Sequence, residues 1–405
     1  MKYNVLKMED ALEALIDYRG KTPEKAEEGI DTLSAKSVKD GYIDYSLCYQ
    51  ISAEEYKRFM VRGFPQIGDI LLTTEAPLGL VARLDRNDVA IAQRLLTLRG
   101  KKGVLDNDYL MYYLQSPKGQ AALTARATGT TVTGIKQAEF RKIELELPEY
   151  DYQVKVSGII RAIDEKIALN KKINNNLLEQ INCLCSEWIE HDIVPEGWSE
   201  FALSDIADFV GGYSYKSSEL VESTTAMATI KNFDRNGGFK LDGFKELQPS
   251  PKIKSSQFVE LFDILVAHTD LTQNAEVVGN AELIMSKSNY DRIAFSMDLV
   301  KVVPTVEGLS NFLLGAILQT KRFKAHCLGY VNGTTVLHLS KKALPEYRVM
   351  LPNDLSYLKP LDEAITFLYK EISANVAENL KLELIRDSIL PKLMSGDLDV
   401  SEVKI

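Results

Sequence analysis

The sequence predicts an α+β protein: two similar mixed α/β units joined by two long helices that form an antiparallel coiled coil. Three observations predict it. The chain repeats itself at about half its length, each repeat ends on a proline followed by a long helical pattern, and both helical patterns carry the same polar interruption.

The repeat is clearest late in each half. Gly129-Thr130-Thr131-Val132 recurs as Gly333-Thr334-Thr335-Val336, 204 residues on. The same offset carries the segment ending at Leu147-Pro148 onto the one ending at Leu351-Pro352, and Gly68-Asp69-Ile70-Leu71-Leu72 resembles Phe262-Asp263-Ile264-Leu265-Val266. A period this long marks duplicated domains. The globular units are expected at 1–148 and 191–352, the helices at 149–190 and 353–393, and a tail at 394–405. Within the units, Asp69–Thr74, Val89–Leu98, Asp263–Ala267 and Leu299–Val303 read as strands. Asp108–Leu114 and Phe312–Leu318 read as helices, and Gly, Pro and Asn mark turns from Asn232 to Gly238 and Pro249 to Pro251.

In the first long helix Val156, Ile160, Ile163, Ile167, Asn170, Asn174, Leu177, Ile181, Leu184 and Trp188 recur with gaps of four and three. In the second, Leu361, Ile365, Leu368, Ile372, Asn375, Asn379, Leu382, Arg386, Ile389 and Leu393 do the same. That spacing is a heptad seam. If the helices run antiparallel their midpoints coincide, and Asn170 faces Asn379 while Asn174 faces Asn375. A buried amide needs a partner, so the four asparagines form a polar layer that fixes register. A seam of this length spans about 50 Å at 1.5 Å per residue, against roughly 34–36 Å for one turn of DNA. It can hold two similar globular units apart by a helical turn or more.

Composition sets bounds. The 405 residues are 45% hydrophobic and 26% charged, as in a globular protein. No apolar run approaches a membrane span, and the start lacks a signal peptide's apolar region, so the chain is expected in the cytoplasm. Cys48, Cys183, Cys185 and Cys327 read as plain, partly buried thiols; Cys183, Cys185 and His191 lack zinc-ligand spacing. Net charge is −9, yet residues 1–148 carry 21 basic and 21 acidic side chains, whereas 353–405 carry 6 and 10. The excess acid thus sits partly in the helical segments, which could face partners or solvent.

Several phrases resemble the specificity subunits of type I restriction–modification systems. Glu165-Lys166-Ile167-Ala168-Leu169-Asn170-Lys171-Lys172-Ile173-Asn174 looks like that family's central conserved region, and the stretch Leu384-Ile385-Arg386-Asp387-Ser388-Ile389-Leu390-Pro391-Lys392-Leu393-Met394-Ser395-Gly396-Asp397-Leu398 like its C-terminal one. Leu203-Ser204-Asp205-Ile206-Ala207-Asp208-Phe209-Val210-Gly211-Gly212 resembles the opening of a target-recognition domain; the first half lacks the Gly-Gly turn. The resemblance implies two target-recognition domains that each read half of a split, asymmetric site on double-stranded DNA. It also implies two partner modification subunits, which would bind S-adenosylmethionine and methylate adenine, and motor-nuclease restriction subunits. No cofactor, metal or catalytic residue is expected in this chain.

A rival reading as an enzyme finds little. There is no Asn/Asp-Pro-Pro-aromatic run and no GxGxxG, and Gly129 to Lys136 misses the P-loop pattern because lysine does not directly follow the second glycine. His191, His268, His326 and His338 show no ligand spacing. The Gly-Thr-Thr turns instead suit phosphate oxygens or base edges. Candidate DNA contacts are Arg126, Thr130, Thr131 and Lys136 in the first half. In the second they are Tyr213, Tyr215, Lys216, Thr334, Thr335, Lys341 and Lys342. A coiled-coil adaptor whose globular units bind proteins remains the alternative.

Overall fold

The computed structural model describes residues 3–129, 132–189, 193–235, 237–398 and 400. The chain divides into two compact units, Met1–Lys166 with Leu382–Ile405, and Ile167–Lys381. Both boundaries fall inside long helices, a central one at Tyr150–Ile189 and a C-terminal one at Lys359–Ser395. The helices do not stand apart from the globular parts, because their apolar faces complete the units' cores. Val156, Ile160 and Leu393 belong to the core of the first unit, and Ile181, Cys185, Leu361 and Ile365 to that of the second. Met394 and Val400, on the expected tail, are also buried in the first unit's core.

In the first unit Asn4–Lys7 pairs antiparallel with Glu144–Leu147. A single helical turn, Met8–Ala11, then leads into an antiparallel sheet ordered Leu12–Asp17, Leu95–Gly100, Ile70–Thr74, Leu78–Arg83. A smaller sheet is ordered Tyr49–Ile51, Ile30–Leu33, Ala90–Ile91, its last pair parallel. The predicted strand Val89–Leu98 is therefore two strands in two sheets. The chain turns between them at Arg94, whose φ is +70°, where the polar pair Gln93-Arg94 interrupts the apolar run.

The second unit repeats this plan. Trp198–Ala202 pairs with Arg348–Pro352, the turn Leu203–Ile206 follows, and the antiparallel sheet runs Ala207–Gly211, Leu299–Pro304, Ile264–Ala267, Ala281–Leu283. The parallel pair recurs as Thr225–Ala228 with Arg292–Phe295. A three-stranded sheet of Thr269–Asp270, Leu337–Leu339 and Val331–Asn332 extends pairings that the first unit makes as single bridges, Glu75 with Gly134 and Thr128 with Gly134.

Helices Asn107–Gln115 and Pro117–Ala125 correspond to Asn311–Leu318 and Lys321–Leu328. Their capping shows the repeat in atomic detail. Asp106 caps the first by accepting from Tyr109 N (2.9 Å) and from Ser157 Oγ on the central helix (2.8 Å). Ser310 caps its counterpart by accepting from Leu313 N (3.1 Å) while its hydroxyl donates to Asp362 on the C-terminal helix. Hydroxyl and carboxylate have exchanged places, and the bond that docks helix onto helix is kept. Such caps stabilise by about 1 kcal/mol each.

Within the second unit the two long helices run antiparallel. Asn170 Nδ2 donates to Asn379 Oδ1 (2.9 Å) and to Glu378 Oε2 (2.7 Å), and Asn375 Nδ2 donates to Asn174 Oδ1 (2.8 Å). Asn170 is completely buried, so these partners replace water that the amide has lost. Within the first unit the same two helices meet through Arg386 and Asp164 (3.0 Å), and Asp164 also accepts from Tyr112 Oη (2.8 Å).

Candidate nucleic-acid interface

The glycines that open the two Gly-Thr-Thr segments are placed alike. Gly129 and Gly333 have φ of +115° and +112°, and a Cβ on either would lie 2.2 Å from the carbonyl oxygen of Val132 or Val336. Only glycine fits both demands. After each turn the chain is tied to the same place in its unit. Ile135 N donates to Thr74 O (2.9 Å) at the end of strand Ile70–Thr74, and Leu339 N donates to His268 O (2.8 Å) just past strand Ile264–Ala267.

Around the first turn the structure gathers cations. Arg19 donates to Ile135 O (2.8 Å), and Arg62 to the carbonyls of Asp17 and Arg19 (2.9 and 3.2 Å). Arg94 pairs with Glu75 (2.9 Å), whose backbone bridges to Gly134. Lys136 is exposed, with no side-chain partner among the described residues; Arg126 lies half-buried against Glu139 (3.5 Å). Thr130 and Thr131 lie outside the described residues. Sequence reasoning missed Arg19, Arg62 and Arg94. One signal was present: Tyr18 and Lys21 precede Tyr213 and Lys216 by 195 residues, an offset set by the shorter first half.

Around the second turn the chemistry differs. Thr334 and Thr335 are exposed, and Thr334 O accepts from Gln273 Nε2 (2.9 Å). Lys341 and Lys342 are exposed on the following turn. His268 is half-buried; burial, with the nearby Lys341 charge, holds its imidazole down at about 4, so the ring is neutral at physiological pH. Its Nε2 and the Thr269 and Ser296 hydroxyl oxygens are buried without hydrogen-bond partners among the described residues, as is Thr74 Oγ1 in the first unit.

Tyr213 does not suit a contact with a duplex. It is only 7% exposed, and its hydroxyl donates to Glu219 (2.7 Å) and meets Ser250 (3.0 Å). Like Tyr18, whose hydroxyl donates to Gly63 O (2.8 Å), it fastens the loop after the first sheet strand. Tyr215 is partly buried under Lys245, whose Nζ lies 5.8 Å from the ring centre, and Lys216 is exposed beside it. Cys183 is exposed and Cys185 buried, while His191 lies outside the described residues. Among the described residues no cluster of three His, Cys, Asp or Glu could hold a metal, and no helix is long and apolar enough to cross a membrane.

Residues 16–179 match the family described as type I restriction modification DNA specificity domain. Two curated specificity subunits of type I restriction enzymes are similar over most of the chain. The chain is 24% identical over 368 residues to the type I restriction enzyme MjaIX specificity subunit of Methanocaldococcus jannaschii, covering 87% of this chain and 82% of the relative. The HindI specificity subunit of Haemophilus influenzae is 20% identical over 408 residues, covering 82% and 86%. The crystal structure of a type I restriction–modification system S subunit from M. genitalium superposes with a TM-score of 0.57 at 17% identity, covering 97% of this chain and 96% of that one. The fold is therefore shared across nearly the whole chain.

Proposed function

We propose that this chain is a specificity subunit that reads DNA sequence for a type I restriction–modification complex, each unit reading one half of a split, asymmetric site. The observation that carries the reading is the duplicated joint: one glycine turn, tied to one strand end, appears twice with different side chains around it. An identical scaffold supplies an equivalent approach to a duplex, and unlike side chains supply unlike base preferences. Arg19, Arg62, Arg94 and Lys136 suit phosphates and guanine edges. The exposed Thr334 and Thr335 suit hydrogen bonding to base edges without added charge.

Chemistry belongs, on this proposal, to partners. Two modification subunits would carry S-adenosylmethionine and methylate adenine, and motor-nuclease subunits would join for restriction, all in the cytoplasm. This chain would contribute no catalytic group. The test is binding of the full chain with its modification subunits to a duplex carrying the methylation site mapped in the host. Scrambling either half of that site should abolish specific binding, leaving the salt-sensitive non-specific component. Binding indifferent to both halves would overturn the reading in favour of a protein-binding adaptor.

A further inference from the structure

Beside the second Gly-Thr-Thr turn, the segment from Leu271 to Glu276 leaves the surface as an irregular loop, yet it is tied down on every side. Asp270 accepts from Thr272 N (2.8 Å), Val277 N (2.6 Å) and Val278 N (3.2 Å). Lys324 reaches up from helix Lys321–Leu328 and donates to the carbonyls of Ala275 (3.1 Å), Glu276 (3.2 Å) and Val278 (2.6 Å) and to Asn280 Oδ1 (2.7 Å). Gln273 completes the set by holding Thr334 O. The first unit has no such construction; Gln120, 204 residues before Lys324, donates to Gly79 O and Leu114 O across a direct hairpin.

What this loop presents is apolar. Leu271 is 65% exposed at its start. It stands at the edge of a cleft of about 350 Å³ whose wall includes Lys231, Lys240 and Thr272. Lys231 is exposed and has no side-chain partner among the described residues; Lys240 lies 3.6 Å from Asp234. A leucine exposed on a tethered loop, beside a cleft lined by Lys231, Arg235 and Lys240 as well as Asp242 and Asp270, fits a ligand that is anionic outside and offers an apolar feature within. Duplex DNA meets both conditions: phosphates line the groove, and the 5-methyl group of thymine is the one apolar mark that base pairs present in the major groove. Lysine serves the phosphates as a point charge. The tethered loop spares the ordering cost that a mobile reader would incur on binding.

We propose that Leu271 is a specificity-determining residue that reads a thymine methyl in the half-site addressed by the second unit, with Lys231 and Lys240 on the neighbouring phosphates. The inference rests on the DNA-reading function proposed above. It is tested with the assembled modification complex on its mapped site, replacing each thymine of that half-site in turn by uracil, which lacks only the methyl group. One replacement should weaken binding of the wild type about 5- to 10-fold and leave Leu271→Ala unaffected. Methylation mapping with Leu271→Ala should show one position of that half-site relaxed and the other half intact. Lys231→Ala should weaken all sequences alike and lower the salt slope by about 1. Leu271 is exposed, so an unchanged melting temperature checks that the variant folds. An unchanged methylation motif, equal uracil sensitivity in both proteins, or a loss confined to modification-subunit association would overturn the assignment while leaving DNA reading intact. Absence of any sequence preference in the wild-type complex would instead remove the function beneath it.

Discussion

The two units carry one scaffold and two chemistries. In the first, the strand end at the joint is Thr74 and the joint is ringed by Arg19, Arg62 and Arg94. In the second, His268 takes the place of Thr74, and a pinned loop replaces the arginines. On the neighbouring strand, Leu71 is paired with Ala82 and Leu265 with Glu282, so a buried carboxyl stands where the first unit has a methyl group. The elements left alike carry the backbone: the glycine turn, the helix caps, the parallel strand pair. Those that differ carry charge and hydrogen-bonding capacity. A protein that must read two dissimilar half-sites needs this division.

The most severe way to break the comparison is to remove what the units share. Gly129→Ala and Gly333→Ala each place a Cβ 2.2 Å from a carbonyl oxygen at a φ that alanine disfavours. Opening the turn costs roughly 2–4 kcal/mol locally. Each variant should lose about 100-fold in specific DNA affinity by fluorescence anisotropy, with helical circular dichroism unchanged. If only one does, the turns are alike in form and not in use.

A smaller effect separates the units by pH. Burial pushes the Glu282 carboxyl up to about 7, although Gly238 N donates to it (2.6 Å). Because its folded value is raised, the proton is favoured in the folded state, and stability falls as pH rises from about 4.5 to 7. His268 works the other way: its folded value is lowered to about 4, so stability falls as pH drops from about 6.5 towards 4. Each contributes on the order of 2–3 kcal/mol, and the two slopes oppose each other. Glu282→Gln should gain about 2–3 kcal/mol in urea unfolding at pH 8 and almost nothing near pH 5. His268→Asn should leave the Glu282 slope exposed, with stability rising on mild acidification. Ala82 and Thr74 cannot titrate, so Ala82→Val or Thr74→Val should change no pH slope.

How much of this was legible depended on what each feature requires of sequence. The helix pairing was readable because a heptad seam and its asparagines are strictly periodic, and the contacts of Asn170 with Asn379 and of Asn174 with Asn375 follow that register. The Gly-Thr-Thr turns were readable because positive φ restricts residue choice. The arginine ring was not: Arg19, Arg62, Arg94 and Ile135 are distant in sequence and meet only through sheet topology. Tyr213 misled because an aromatic beside a lysine reads as a surface cluster, whereas its hydroxyl is spent inside the fold.

The helix pair sharpens the contrast further. Asn170→Leu would strip Asn379 Oδ1 and Glu378 Oε2 of the same donor in the second unit. Depriving the buried Asn379 amide oxygen of this donor costs roughly 1–3 kcal/mol, a loss that salt screens little because the pair is neutral. In the first unit the contact between the same helices is ionic and part-exposed, Arg386 with Asp164, so Arg386→Leu should cost less, about 1 kcal/mol, and the loss should shrink in 0.5 M salt. Unfolding monitored at both salt concentrations distinguishes them.

The smallest effect concerns the exposed lysines, and it bears most directly on how each unit meets a duplex. Lys136 and Lys341 follow their turns at nearly corresponding positions, and both are exposed. If both meet phosphates, Lys136→Ala and Lys341→Ala should each weaken binding by a few-fold on every sequence and lower the logarithmic salt slope by about 1. The ring of arginines around the first joint gives that unit several further cations, so loss of Lys136 should be the better tolerated. Lys341 has a second role that Lys136 lacks, because its charge helps keep His268 neutral. Lys341→Ala should therefore also raise the His268 titration midpoint, read by imidazole NMR shifts. A lowered salt slope without that shift would mean that burial alone holds the ring neutral.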